Sequence, residues 1–323
     1  MRAAVYHRYG APEVVQIEDI PTPEPKAGEV LIRVRATTVT AADWRVRSLS
    51  MPRGFGVFGR LAFGLFGPRK KVLGMAVAGE VAACGAGVAS FAVKDRVLAD
   101  CGAKMGAHAA FCVVKADGTL AKIPDGLSFE DSAALVFGGS TALHFLRNVG
   151  KVQPGERVLI NGASGETGVA FVQLARHFGA DVVGVCSAAN AELVRGLGAE
   201  RVVDYTQEDF ALSDEKYDVI VDTVGNAGWV RSHGALKDNG RLLQVLAGLA
   251  DMIKAPLVSR RTGRKALAGE AKPIAADLVF LADLAVKGEF IPVISQIFEL
   301  EDIVEAHRLV DSGHKVGSVV VRL

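Results

Sequence analysis

The sequence predicts an α/β protein built from a β-rich N-terminal domain and a doubly wound parallel sheet. Three observations carry that expectation. Up to about residue 124, short β-rich runs, several of them alternating apolar and polar residues, are separated by Gly and Pro. This is the texture of antiparallel strands with one solvated face. From Gln153 onward, apolar strand runs alternate with helical patterns, as in a parallel sheet with helical crossovers. Between the first of these strands and the first of these helices stands a glycine-rich turn, NGASGETG.

Taken in order, AAVYH, VVQIEDIP, EVLIRVRATTV, EVAACG, DRVLA and AAFCVV read as the strands of the first domain. Asp43, followed by Trp44, reads as a helix start, where a carboxylate suits both capping and the helix dipole. MPRGFGVFGRLAFGLFGPRKK, Met51 to Lys71, interrupts the strands and carries Phe55, Phe58, Phe63 and Phe66 among Arg53, Arg60, Arg69, Lys70 and Lys71. That is long for a connection. It reads as a helix-containing insertion packing its Phe side chains on its own domain, with an apolar lid or a membrane-surface helix as the alternatives. In GGSTAL, Thr141 reads as the start of an apolar helix. The parallel part then runs GERVLIN, a helix from about Thr167, DVVGVCS, a helix from about Asn190, RVVDY, KYDVIVD, a helix from about Ala227 and GRLLQVL. A helix over Ile274 to Lys287 and a strand in HKVGSVVVRL complete the chain.

Composition removes several functions. Of the 323 residues, 50% are hydrophobic and 23% charged, far from the composition of disordered chains. With 37 basic and 36 acidic residues the net charge is +1, so no global field favours a nucleic acid. Cys84, Cys101, Cys112 and Cys186 form no CxxC pair, and the seven histidines form no HxxxH or HExxH, which argues against metal knuckles and zincin sites. Ser164 lies in the wrong register for a nucleophile elbow. His144 reads as packed or solvated, and Cys186 as a small apolar residue at a strand end. The N-terminus lacks the apolar core of a signal peptide, and no run of about 18 apolar residues occurs. The expected location is cytoplasmic, with no membrane span.

The turn is the chemically informative motif. Gly162, Gly165 and Gly168, at GxxGxxG spacing, follow a strand and open a helix. There glycines permit a tight turn, close approach to a pyrophosphate, and packing of helix on strand, while helix N-terminal amides face the phosphates. At the end of the second strand, VVGVCSAANAE has no carboxylate until Glu192. A carboxylate there would hold an unphosphorylated ribose; the neutral Ser187 and Asn190 tolerate a 2′-phosphate. NADP is therefore expected, with Tyr205 or Arg195 contributing.

VTAADWRVRS, LGMAVAGEV, NGASGETG, DTVGN and HKVGSVVV, in that order, resemble the medium-chain dehydrogenase/reductase superfamily, in its zinc-independent quinone oxidoreductase-like branch. The resemblance covers essentially the whole chain. It implies a GroES-like substrate domain over 1–124 and 288–323 and a Rossmann dinucleotide-binding domain over 125–287. The zinc ligands of the family's alcohol dehydrogenases are missing: the regions read TAADW, GMA with Met75 at the histidine position, and FGGSTA. A thioether does not replace an imidazole on zinc, so no metal is expected. Without a Lewis acid, oxidation of a simple alcohol loses its main charge stabilisation. Hydride transfer from NADPH to a quinone or an α,β-unsaturated carbonyl remains feasible, the protein supplying orientation and hydrogen-bond donors.

The resemblance further implies Asp43, Trp44, Met75 and Phe137 around the substrate, with Asp43 also beside the nicotinamide ribose and Thr141 near the nicotinamide. Gly162, Ser164, Gly165, Thr167 and Gly168 would line the pyrophosphate, and Ser187, Asn190 and Tyr205 the 2′-phosphate. Val224, Gly225 and Asn226 would border the adenosine, Leu246 and Ala247 the carboxamide, and Val316 to Ser318 would close over the cofactor. A homodimer is expected through an edge strand in Arg264 to Pro273. A catalytically silent NADPH-binding protein and a zinc alcohol dehydrogenase are the alternatives.

Overall fold

The computed structural model describes the backbone of residues 1–323 and every side chain but that of Arg261. From the N-terminus come β1 (Arg2–Tyr6), β2 (Val15–Asp19), β3 (Glu29–Val39), α1 (Ala41–Ser48), α2 (Gly56–Phe63), β4 (Ala76–Cys84), β5 (Arg96–Asp100), β6 (Phe111–Lys115), β7 (Leu120–Lys122) and α3 (Phe129–Leu143). The chain continues through β8 (Arg157–Asn161), α4 (Glu166–His177), β9 (Asp181–Cys186), α5 (Ala191–Gly196), β10 (Arg201–Asp204), β11 (Tyr217–Asp222), α6 (Trp229–Ser232), β12 (Leu236–Gln244), α7 (Leu249–Thr262) and β13 (Lys265–Ala268). It closes with α8 (Ala275–Val286), β14 (Ile294–Glu299), α9 (Ile303–Asp311) and β15 (Ser318–Arg322).

Two units form. The first contains Met1–Met51, Gly56–Ser140 and Pro273–Leu323, the second Pro52–Phe55 and Thr141–Lys272. These limits differ from the 124/125 and 287/288 divisions that the resemblance implies. Packing is the reason: Leu278, Leu281 and Leu284 of α8 are buried, a Cβ on Gly139 of α3 would lie 3.0 Å from Leu281 Cδ1, and Thr119 Oγ1 donates to Pro273 O at 3.0 Å. Both helices thus belong with the first unit's strands.

In the first unit β3 is the hub. It pairs antiparallel with β4, with β6 through Glu29–Arg33, and with β15 through Ala36–Val39. The sheet runs β14-β15-β3-β4-β5-β7, and β1-β2 form a separate hairpin. Alternation in the middle of β3, where Arg33 and Arg35 face out between buried Ile32, Val34 and Ala36, sets its core face.

In the second unit all six strands are parallel in the order β10-β9-β8-β11-β12-β13, the 3-2-1-4-5-6 order of a doubly wound sheet. Runs such as VLIN and VVGVC are buried throughout, as expected of strands covered on both faces. Three helices differ from expectation. Thr141 lies near the end of α3 rather than at a helix start, and α3 passes directly into a π-helical segment, His144–Gly150. The helix expected from Ala227 is only the four residues of α6. Helix α7, which contains Pro256, has no counterpart in the sequence reading, because an interior proline argues against a helix. Among the described residues no helix is long and apolar enough to cross a membrane.

The Phe-rich insertion does not pack as expected. Phe63 joins the first unit's core, whereas Phe58 and Phe66 are exposed. Gly59 rather than a phenylalanine is the buried residue of α2.

The first unit also buries an unusual polar cluster. Arg47 is wholly buried; its Nη1 donates to Gly10 O at 2.6 Å and its Nη2 to both oxygens of Asp311 at 2.6 and 2.5 Å. His307 and His108 are buried edge to face, with centroids 5.7 Å apart. His108 Nε2 donates to Thr38 O at 3.0 Å, but among the described residues neither ring nitrogen of His307 has a hydrogen-bond partner. Burial, then His108 and Arg47, hold the His307 imidazole well below the ordinary histidine range. The unfolded chain therefore binds a proton at His307 before the folded chain does. The stability tied to a neutral His307 is fully present above a pH of about 6.5 and is lost as pH falls toward the depressed folded value. The melting temperature should drop between about pH 7 and pH 5, and His307→Leu should flatten that drop. Parallel pH profiles for parent and variant would refute the assignment.

Candidate functional site

The parallel sheet brings a ring of polar residues to the carboxyl ends of its central strands, where open α/β sheets bind ligands. Its first part is the turn between β8 and α4. Gly162 has a φ of +84°, and a Cβ on it would meet Thr223 Oγ1 and Val224 Cγ2, both at 2.6 Å. Gly168 lies against the turn itself: a Cβ there would stand 2.0 Å from Gly162 O. Gly165 differs, since a Cβ there would have only Gly162 O, at 3.5 Å, as a neighbour. Gly165 is the N-cap of α4 and offers no side chain to its first amides. The three glycines thus separate into turn, open approach and helix packing. Thr167 sits in the first turn of α4.

The second part is a hydroxyl and amide cluster at the end of β9. Asn190 Nδ2 donates to Ser164 Oγ at 3.1 Å and to Ser187 Oγ at 3.4 Å. All three side chains are half-buried. Tyr205 N donates to Cys186 O at 3.3 Å, placing Tyr205 beside Ser187, with its ring exposed. Asp204, the carboxylate ending β10, is engaged by the Thr206 N–H and hydroxyl at 3.0 and 2.9 Å. Burial, with the Asp204 carboxylate adding to it and Arg195 opposing, pushes the Cys186 thiol up to about 11. It is a packed thiol and not a nucleophile.

The third part, at the switch point between β8 and β11, rests on two residues that sequence reasoning did not single out. Asp222, wholly buried at the end of β11, accepts from Asn161 Nδ2 at 2.9 Å and from the N–H groups of Val224 at 3.1 Å, Gly225 at 2.9 Å and Ala227 at 2.9 Å. Asn161 Nδ2 also donates to Asn226 Oδ1 at 2.7 Å. One carboxylate and one amide therefore shape the segment Val224–Asn226, which stays exposed. The available signal was a polar residue closing an otherwise apolar strand in RVLIN and again in YDVIVD. Leu246 abuts this segment, 3.0 Å from a Cβ on Gly225, and Leu246 and Ala247 are half-buried after β12.

The first unit holds the remaining candidates. Asp43 is the N3 residue of a capping box on α1: its Oδ2 accepts from Thr40 N at 2.8 Å and Thr40 Oγ1 at 2.7 Å, and Thr40 Oγ1 accepts from Asp43 N. Its Oδ1 accepts from Gly74 N at 2.8 Å. Both oxygens of this buried carboxylate are occupied, so Asp43 acts on the Gly74–Met75 backbone. Trp44 is half-buried, with the Arg45 guanidinium 5.0 Å from its ring centre; burial lowers the Arg45 pKa. Met75 packs on the core, and its carbonyl accepts from Cys101 N at 2.7 Å. Phe137 lies half-buried on α3. Ser318, the first residue of β15, donates its N–H to Val293 O at 2.8 Å, and Val316 lies two residues before that strand. Among the described residues no three His, Cys, Asp or Glu side chains come together as a metal site would need.

Comparison with known proteins agrees across the chain. Residues 26–125 match the alcohol dehydrogenase GroES-like domain, and residues 197–321 match a family described as zinc-binding dehydrogenase. A quinone oxidoreductase of Pseudomonas aeruginosa is 32% identical, over 97% of this chain and 97% of that protein. The structure of a quinone oxidoreductase from Coxiella burnetii superposes with a TM-score of 0.90 at 30% identity, covering 100% of this chain and 99% of that one. A mycobacterial protein solved in complex with NADPH superposes with a TM-score of 0.82 at 26% identity, covering 100% of both chains.

Proposed function

The chain belongs to the medium-chain dehydrogenase/reductase superfamily, in its quinone oxidoreductase-like branch, and on that basis we propose that it reduces quinones or α,β-unsaturated carbonyls with NADPH and without zinc. The single observation that carries the cofactor choice is the Ser164–Ser187–Asn190 cluster at the end of β9. These neutral donors suit a 2′-phosphate, and no member of the cluster is a carboxylate that would repel one. The glycine turn fits the rest of a dinucleotide, because the space beside Gly165 is open to a phosphate and the α4 amides face it. NADPH, when bound, supplies the hydride from nicotinamide C4.

The chain's own residues bind and orient. Gly162, Ser164, Gly165, Thr167 and Gly168 receive the pyrophosphate. Ser187, Asn190 and Tyr205 receive the 2′-phosphate, Val224 to Asn226 the adenosine, and Leu246, Ala247 and Thr141 the nicotinamide end. In the first unit, Trp44, Met75 and Phe137 offer apolar contacts to the acceptor, Val316 and Ser318 contact the cofactor, and Asp43 acts as a positioning residue through Gly74. The residues present do not fit zinc, since a thioether stands at Met75. A homodimer joined at β13, one of the two edge strands of the six-stranded sheet, belongs to the same reading, and light scattering measures it.

The test is NADPH and NADH consumption by chelator-treated protein against a benzoquinone, a naphthoquinone, an alkenal and an enone. Acceptor-dependent turnover with NADPH supports the proposal; none above background overturns it. Ser187→Asp places a carboxylate against the 2′-phosphate and should lower kcat/KM for NADPH by at least ~10-fold while changing NADH little. An unchanged NADPH to NADH ratio would remove Ser187 from the site.

A further inference from the structure

Helix α2 turns its bulky side chains outward. At 3.6 residues per turn, Val57, Phe58 and Leu61 share one face, with Gly59 and Phe63 opposite. The inner face is close-packed: a Cβ on Gly59 would lie 2.5 Å from Met51 Cγ, and Phe63 packs on the core. The outer face leaves Val57 72%, Phe58 56% and Leu61 52% exposed, and the following turn adds Leu65 and a fully exposed Phe66. This is not fraying. Tyr9 Oη donates to Gly64 O at 2.9 Å, Arg69 N to Phe63 O at 2.8 Å and Arg60 Nη1 to Leu65 O at 3.3 Å, which fix the turn in place.

The charge around this patch has one sign. Arg60, Arg69, Lys70 and Lys71 are all exposed, and Met51 to Lys71 contains no Asp or Glu. None of the four cations is ion-paired among the described residues, in a chain whose totals are 37 basic and 36 acidic. A contiguous apolar patch of this kind marks an interaction surface. A second copy is a poor occupant, since a two-fold contact through the patch would bring the same four cations face to face. Aliphatic and aromatic groups ringed by unpaired cations instead complement a lipid surface carrying anionic headgroups.

We propose that Val57 to Lys71 docks on an anionic bilayer surface, with Phe58, Leu61, Leu65 and Phe66 entering the acyl boundary and Arg60, Arg69, Lys70 and Lys71 meeting headgroup phosphates. This holds whichever acceptor the protein reduces. Co-sedimentation of the full chain with phosphatidylcholine vesicles and with vesicles rich in phosphatidylglycerol tests it. Binding is expected only to the anionic vesicles and should weaken with salt. K70E/K71E should reduce partition by at least ~30-fold, and F58S/F66S by at least ~10-fold, with melting temperatures unchanged. Equal binding to both vesicle types, no binding to either, or either double variant binding like the parent overturns the proposal. So does an altered self-association without any change in vesicle binding.

Discussion

Gly168→Ala should unfold the turn that Gly165→Ala leaves standing, and the contrast separates structural from ligand-facing roles in one motif. At Gly168 the added Cβ would sit 2.0 Å from Gly162 O, 2.8 Å from Ala163 C and 2.9 Å from Ala163 Cα. Every one of these is backbone, so no rotamer change relieves the clash; α4 must move off β8. Overpacking of this kind costs about 3 kcal/mol, roughly 10 °C in melting temperature for a domain of this size. NADPH binding should be lost with it. At Gly165 the added Cβ has only Gly162 O nearby, at 3.5 Å, and the backbone is extended with φ of −72°, so the melting temperature should stay within about 1 °C. If a phosphate lies against Gly165, the methyl group displaces it, and NADPH affinity should fall by about tenfold or more. Thermal melts and cofactor titration of both variants decide the matter. A destabilised Gly165→Ala, or a Gly165→Ala that binds NADPH normally, would contradict the assignment of that glycine to phosphate approach.

Much of this arrangement is legible in the amino acids because it is local. The β3 run EVLIRVRATTV spans the observed strand residue for residue, since alternation and β-branching report the same outcome. The turn glycines announce themselves by spacing, and the absence of a carboxylate after β9 marks the neutral cluster. What escapes is set by distant partners. The helix start expected at Thr141 falls near the end of α3, and within that helix Gly139 stands against Leu281, far along the chain, where a Cβ would lie 3.0 Å from Leu281 Cδ1. Pro256 hides α7 in the same way. His108 and His307 meet only in the folded first unit. The second carboxyl oxygen of Asp43 goes to Gly74, which no local rule predicts. Exposure of Phe58 depends on which face of α2 the core accepts, and a small residue at 59 decides that.

Asp222→Ala is the other substitution with a large expected effect, because one buried carboxylate serves four donors. Asn161 Nδ2 and the N–H groups of Val224, Gly225 and Ala227 all point at it, between 2.9 and 3.1 Å. Truncation leaves these donors without their acceptor at the end of β11. Each buried unsatisfied donor costs ~1–3 kcal/mol, partly relieved for Val224 and Gly225, which are exposed residues. A net loss of about 3–5 kcal/mol follows, roughly 10 °C or more in melting temperature. Asp222→Asn discriminates further. Its amide keeps one acceptor oxygen but presents an NH2 group to a donor on the other side, so it should recover only part of the stability. The loop from Thr223 to Ala227 is where the adenosine is proposed to lie, so NADPH affinity should fall for both variants even at temperatures where they stay folded. Conversely, Asn226→Ala removes only an acceptor for Asn161 and should cost under about 1.5 kcal/mol. Equal melting temperatures for parent, Asp222→Asn and Asp222→Ala would mean that the loop is held by something other than this carboxylate, and the ordering of the site would have to be sought in the packing of Leu246 on Gly225.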